Sequence, residues 1–272
     1  MKTAMITGAT DGVGRVVAKR LAAEGWRVLA HGRSEERGQS LVREIAQAGG
    51  KATFLAADLA SLAEVRRLAE AVKKETGALQ LLINNAGIGS VGDRPGRRES
   101  ADGHELRFAV NYLAGFLLTH LLLPLVKAGA PARIVNVSSA GQEAIDFGDV
   151  MLTRGYSGSR AYRQSKLALI MWTLDLAEEL KPRGVMVNCL HPATFMDTHM
   201  VREAGTAPAS TVDEGAEAVM HLAVSADVEG RTGQYYDGLD PSRPERQALD
   251  REARRQLAAL TEQLIGGTTV QA

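Results

Sequence analysis

The sequence predicts an α/β fold: a single domain built on one open, doubly wound sheet of seven parallel strands, with helices on both faces. Three observations predict it. Short runs rich in Val, Ile and Leu alternate with longer stretches of helical periodicity, the pattern of repeated βα units. A glycine-rich turn, Gly8 to Gly14, directly follows the first of those runs. The chain has 272 residues, 45% of them hydrophobic, enough for one large core, and no linker, repeat or low-complexity tract divides it.

In chain order, the strand candidates are 3–7, 27–31, 51–57, 79–84, 132–138, 186–191 and a last short one near 233–236. Helical patterns fall between them at 14–25, 35–48, 62–76, 102–127, 158–181 and 212–224. In the first helix Val16, Val17 and Leu21, with Trp26 beyond, stand against Arg15, Lys19, Arg20 and Glu24, an apolar face and a charged one. Two stretches read as loops: 89–100, rich in Gly, Arg and Pro, and 140–159, which has little periodicity. Residues 1–240, which hold these strands and helices, are expected to form the main folded unit. The tail, 241–272, carries Leu249, Leu257, Leu260 and Leu264 among charges and is expected to pack on that unit as amphipathic helix.

Composition excludes several functions. Lys plus Arg and Asp plus Glu are equal at 32 each, so the formal net charge is zero and neither nucleic acid nor an anionic membrane is expected as a partner. The single cysteine, Cys189, excludes an intrachain disulfide and a cysteine-based zinc site; among Val185, Val187 and Leu190 it reads as a buried small hydrophobe. His, Asp and Glu show no ligand spacing, so no metal is expected. The residues after Met1 lack the basic region and apolar stretch of a secretory signal, so a cytoplasmic protein is expected. The longest apolar run, Leu113 to Val126, is broken by His120 and Pro124 and falls short of the ~20 apolar residues of a spanning helix. It reads as a buried helix.

The turn Thr7-Gly8-Ala9-Thr10-Asp11-Gly12-Val13-Gly14 opens the first helix. Gly8, Gly12 and Gly14 permit a tight turn and a close backbone approach, and free N–H groups at a helix start attract phosphate. Between first strand and first helix, such a turn is where a doubly wound fold binds a dinucleotide pyrophosphate, with Thr10, Asp11 and Val13 as further contacts. The second strand ends at His31-Gly32-Arg33-Ser34. An acid there would read the free 2′-OH of NAD, whereas Arg33 is suited to the 2′-phosphate of NADP, with Ser34 as a helper. NADP is therefore the expected cofactor, ahead of NAD.

Tyr162 and Lys166 are four residues apart on a predicted helix, which stacks a phenol and an ammonium on one face. With Thr7-Gly8-x-x-x-Gly12-x-Gly14, Asp58-Leu59, Asn84-Asn85-Ala86-Gly87, Asn111, Ser138-Ser139, Tyr162-x-x-x-Lys166 and His191-Pro192 in order, the chain resembles the short-chain dehydrogenase/reductase family. The motifs cover roughly residues 1–198. Ala101-Asp102-Gly103, Val110-Asn111-Tyr112-Leu113 and the long interval before Tyr162 are similar to its retinol-dehydrogenase-like branch in a bacterial form.

The resemblance implies a Rossmann-like fold and an NAD(P)-dependent oxidoreductase that interconverts a carbonyl and an alcohol by hydride transfer. Tyr162 is then the general acid/base, and Lys166 holds the nicotinamide ribose and lowers the phenol's pKa. Ser139 holds the substrate oxygen, and Asn111 binds a water linking Lys166 to solvent; the other reading of Asn111 is a buried amide satisfied by backbone. Asp58, with Leu59 beside it, would contact adenine. Asn84, Ala86 and Gly87 would line the end of the fourth strand beside the cofactor ribose, where Asn84-Asn85 also reads as a strand-capping turn. Pro192 and Thr194 would meet the carboxamide end, with Thr198 as the alternative threonine. The substrate is a small carbonyl or alcohol, and a homodimer or homotetramer is expected.

Three departures stand out. Pro192-Ala193 replaces the family's usual Pro-Gly, Asp11 stands where NADP-preferring members often have a basic residue, and the Ser139-to-Tyr162 interval is long. The stretch 140–159 therefore reads as an excursion near the pocket. The substrate segment is expected at 194–210, where Met196, Met200 and Val201 read equally as pocket lining and as helix packing. Two other functions compete: a non-catalytic NADP-binding sensor or scaffold, and an epimerase or dehydratase using the same Tyr/Lys pair.

Overall fold

In the computed structural model, which describes residues 1–90, 96–203 and 205–266, each apolar run becomes a strand. These are β1 Thr3–Ile6, β2 Arg27–Gly32, β3 Lys51–Ala56, β4 Leu81–Asn84, β5 Ala132–Val137, β6 Val185–His191 and β7 Tyr235–Asp237. The helices are α1 Gly12–Ala23, α2 Glu35–Gln47, α3 Leu62–Glu75, α4 Leu106–Ala128, α5 Gly158–Leu180, the short α6 His199–Glu203, α7 Val212–Val224 and α8 Arg251–Leu264. Ser34, Ser61, Ser157 and Thr211 begin α2, α3, α5 and α7 by accepting the backbone N–H three residues on. Each such cap stabilises its helix by about 1 kcal/mol.

An eighth strand, β8 Asp240–Ser242, turns back antiparallel on β7, one more than the seven predicted. Its residues, Asp240, Pro241 and Ser242, are all exposed and show no apolar alternation. Proline is tolerated because the strand lies at the sheet edge, so the pattern that marks the other strands is absent here. The sheet runs β3-β2-β1-β4-β5-β6-β7-β8, and every pair but the last is parallel.

Side chains alternate faces along a strand, and this sorts the core into two layers. Met5, Leu29, Leu82, Ile134 and Val187 pack with α3, α4, α5 and α8. Ala4, Ile6, Val28, Leu81, Ile83, Val135 and Leu190 pack with α1, α2 and α7. The strand order reverses between β1 and β4, which opens a crevice at their carboxyl ends.

Helix α4 begins at Leu106 rather than at 102, because Ser100 Oγ accepts from the Asp102 and His104 N–H groups and holds those residues in a turn. Glu105 then caps the helix, accepting from Phe108 N at 2.8 Å. Residues Ala109–Leu113 form a wider π turn. Among the described residues α4 is the one helix with the length and apolarity of a membrane span. It lies in the core, with Tyr112, Leu113, Leu117, Leu118 and Leu122 buried.

The tail helix α8 lies on the same layer. Ala253, Leu257 and Ile265 join that core, and Thr261 Oγ1 is 2.8 Å from the Tyr112 hydroxyl. Arg254, 7% exposed, has its Nε 2.9 Å from Asp175 Oδ1, close enough for charge attraction but without hydrogen-bond alignment. Arg66 donates to Ile265 O at 3.0 Å and fastens the helix end. Leu249 is 46% exposed and takes no part in this packing.

Candidate active site

The glycine-rich turn fits closely over the end of β4. Gly8 and Gly12 have φ of 66° and 49°, where a side chain is strained. A Cβ on Gly14 would stand 2.2 Å from Gly8 O, so only glycine closes the turn. Asn85 Nδ2 donates to Thr7 O at 2.9 Å and Gly8 O at 3.1 Å, while Thr7 Oγ1 accepts from Asn85 N and Ala86 N at 3.0 Å each. Asp11 caps α1 by accepting from Gly12 N at 2.8 Å, and Val13 is buried in the first turn. Thr10 packs so closely on Gly32 that a Cβ there would lie 2.6 Å from its methyl group. The bare backbone at the start of α1 fits a dinucleotide pyrophosphate.

Arg33 is exposed just before the Ser34 cap, and one turn later Arg37 Nη1 lies 3.6 Å from Asp11 Oδ2. A cavity of about 380 Å³ separates the cradle from α2, lined by Thr10, Asp11, Arg15, Arg37, Ser40 and His199. Across β2, His31 is buried and neutral: Nδ1 accepts from Gly8 N at 3.3 Å and Nε2 donates to Ala57 O at 3.1 Å. Burial pushes its pKa down to about 4. Asp58, exposed next to Ala57, accepts from Ala60 N at 3.0 Å. Leu59 is a core side chain, 5% exposed, so only its backbone is open to a ligand.

Asn84 does not reach the crevice with its side chain. Its Nδ2 donates to Thr119 Oγ1 at 2.9 Å and to Asn136 Oδ1 at 2.8 Å, a buried network between α4, β4 and β5. Period-two alternation points Asn85 the other way, into the cradle. Ala86 and Gly87 continue the wall. A Cβ on Gly87 would lie 3.2 Å from Asn111 Oδ1 and 3.4 Å from Lys166 Nζ, so glycine keeps the approach to that ammonium clear.

Helix α5 brings Tyr162 and Lys166 to this point. Lys166 is 5% exposed and its Nζ donates to Val137 O at 2.8 Å, its one hydrogen-bond partner among the described residues. An ammonium has three N–H donors, so two remain for a ligand such as a ribose. Burial drives its pKa down to about 8. Tyr162 has its pKa raised by burial and partly offset by a hydrogen bond with Ser139. The lowering expected from Lys166 is absent in this arrangement. Its ammonium, turned to Val137 O, sits 5.8 Å from the phenol ring centroid.

Ser139 Oγ accepts from Gly141 N at 3.0 Å, which leaves its hydrogen to donate. The Asn111 side chain makes three bonds: Oδ1 accepts from Ile88 N at 2.8 Å, and Nδ2 donates to Ile88 O at 3.1 Å and Ser165 Oγ at 2.9 Å. The amide is thus held by the backbone of Ile88 and by the Ser165 hydroxyl on the helix that carries Lys166.

The two threonines after β6 separate. Thr194 Oγ1 is 3.1 Å from His191 Nε2, past the buried Pro192, while the Thr198 side chain lies against Gly12 of the cradle. Met196 packs on Gly215 and against the core layer to which Val13 belongs. Met200 keeps its side chain outside the described residues, as are residues 91–95 of the 89–100 loop. Arg107 fastens the near end of that loop, donating to Gly89 O at 2.7 Å and Ser90 O at 3.2 Å. His31, Asn85 and Arg37 build the site beside the residues expected from sequence. Their signals were a histidine ending a buried strand, alternation within an Asn-Asn pair, and an arginine one turn beyond Arg33.

The chain matches the family model described as short chain dehydrogenase over residues 2–209. Retinol dehydrogenase 13 of Homo sapiens is 35% identical over 284 residues, covering 97% of this chain and 85% of that protein. Polyprenol dehydrogenase of Mus musculus is 38% identical over 286 residues, 97% of this chain and 84% of that protein. Among solved structures, a protein from Mycobacterium paratuberculosis is similar with a TM-score of 0.79 at 29% identity, over 97% of this chain and 93% of that one. The Pseudomonas aeruginosa RhlG/NADP active-site complex has a TM-score of 0.70 at 28% identity, over 87% and 94%. With the cradle, the Tyr162–Lys166 helix and the Ser139 turn gathered at one crevice, these matches make the chain an oxidoreductase-family member: it belongs to the short-chain dehydrogenases/reductases, in their retinol-dehydrogenase-like branch.

Proposed function

We propose that the protein interconverts a carbonyl and an alcohol, with NADP preferred over NAD. The observation that carries this reading is the meeting of Tyr162, Ser139 and the spare donors of Lys166 at the mouth of the dinucleotide crevice. When bound, the nicotinamide group supplies or accepts the hydride. In the reducing direction the carbonyl oxygen gains negative charge, and two hydroxyls are available to it. Ser139 donates a hydrogen bond where that charge develops, and Tyr162 transfers its proton to the oxygen. Lys166 donates to the cofactor ribose and, once turned from Val137 O, brings positive charge to the phenolate that remains.

The cofactor preference is supported by Arg33 and by Arg37, held one turn along by Asp11. A guanidinium is suited to a 2′-phosphate through charge-assisted hydrogen bonds. Isoprenoid alcohols and their aldehydes are the first candidate substrates, a reading supported by the relatives named retinol and polyprenol dehydrogenases. The test is NADPH consumption against a panel of retinal, longer isoprenoid aldehydes, simple ketones and quinones, with Tyr162→Phe as the control. Turnover that disappears in the control is the expected result. Full activity of Tyr162→Phe would remove the proton-transfer role, and cofactor binding without turnover on any member would favour a sensor.

A further inference from the structure

The excursion after Ser139 and the start of the tail meet beside that serine. Gln142 spans the junction: its Oε1 accepts from Glu245 N at 2.7 Å, and its Nε2 donates to Ser139 O at 3.0 Å. Gln247 grips the same excursion three residues further on, its Oε1 accepting from Ile145 N at 2.6 Å and its Nε2 donating to Ile145 O at 3.1 Å. The tail segment is fixed in its turn, because Glu245 Oε2 accepts from Gln247 N at 2.6 Å and Ala248 is buried. Ser139 O also accepts from the Tyr235 hydroxyl at 3.3 Å.

We propose that Glu245–Gln247, acting through Gln142, positions the Ser139 hydroxyl, so that the tail is a working part of the reactive centre. The inference rests on the carbonyl–alcohol reading above. The Gly141 N–H occupies one lone pair of the Ser139 hydroxyl and so restricts the directions its O–H can take. Gly141 lies in the turn between Ser139 and Gln142, and the far end of that turn is held by the tail. Ile145 and Ala248 are both buried in the same core layer, so the two segments share one apolar anchor. The paired amides add direction, and a hydrogen-bond donor misplaced by a fraction of an ångström loses much of its effect on a developing charge.

The experiment uses the full chain with Gln142→Ala and Gln247→Ala, each made in the native background and in Ser139→Ala. Turnover of the best panel carbonyl is measured with NADPH, and exchange of the Gly141 and Ile145 amide hydrogens is followed in the same proteins. Each single change is expected to lower kcat about tenfold while the KM for NADPH stays within about twofold. In Ser139→Ala neither should cause a further loss, since both act through that hydroxyl. Gly141 should exchange faster in both variants. Equal losses in the two backgrounds, or native kcat with native Gly141 exchange, would overturn the proposal. Gln142 is partly exposed, which keeps a foldable variant in hand should Gln247→Ala misfold. If no carbonyl is turned over, the proposed function fails, and Gly141 exchange still decides whether the tail holds the serine turn.

Discussion

Asn111 pairs with Ile88 as a neighbouring strand would, accepting from its N–H at 2.8 Å and donating to its C=O at 3.1 Å. The pairing starts from the π turn of α4, a widened turn of a kind often found at functional sites. It ties the segment after β4, including Gly87, to the helix that carries Ser165 and Lys166. Asn111→Ala would leave both Ile88 groups unpaired. We expect a loss of about 3 kcal/mol in urea unfolding, together with weakened cofactor binding measured by NADPH fluorescence.

Lys166 gives a pH dependence of defined sign. Burial holds it at about 8, so the free protein loses the charge as pH rises through that value. The kcat/KM for the carbonyl should fall on the alkaline side of about pH 8, while Tyr162, whose pKa is raised, remains protonated. A profile flat well beyond that point would show that the ammonium charge is not needed.

Cofactor choice is open to two arginine substitutions. Arg33→Ala should raise the KM for NADP about tenfold and leave that for NAD nearly unchanged, as expected for loss of a charge-assisted bond to phosphate. Arg37→Ala should act in the same direction with a smaller effect, because its guanidinium is shared with Asp11. Parallel changes for NAD and NADP in initial-rate kinetics would remove both residues from 2′-phosphate recognition.

His31 makes the cradle acid-sensitive. The unfolded chain takes up this proton near pH 6.5 and the folded protein only near 4, so the stability contributed by the neutral ring is complete above 6.5 and is lost as pH falls through 4. The loss from this residue is on the order of 3 kcal/mol. His120 and His191, also lowered by burial, add to it with the same sign. Unfolding midpoints measured between pH 7 and 4 should therefore fall less in His31→Gln than in the native protein, even though the variant starts from a lower midpoint.

The strands and helices were legible because their signals are local and repeated. Apolar runs with period-two sorting place Met5 and Ile6 in opposite layers, and the helical periodicity between them gave α2, α3 and α5. The residues of the crevice were legible as motifs, but the partners of their side chains were not. Adjacent asparagines read alike in one dimension, yet Asn84 enters a buried network and Asn85 holds the cradle. Strand β8 carried no alternation, and the bonds from Gln247 to Ile145 join positions 102 residues apart, which no local pattern reports.

That last separation bears on how the protein is made. The glycine turn, the end of β4 and the Tyr162–Lys166 helix all leave the ribosome before Glu245 and Gln247. The braces on the serine turn can therefore form only after every residue of the crevice and the proton donor has been synthesised. Chains cut short by premature termination just after β7 would carry the residues of the crevice and the proton donor without those braces.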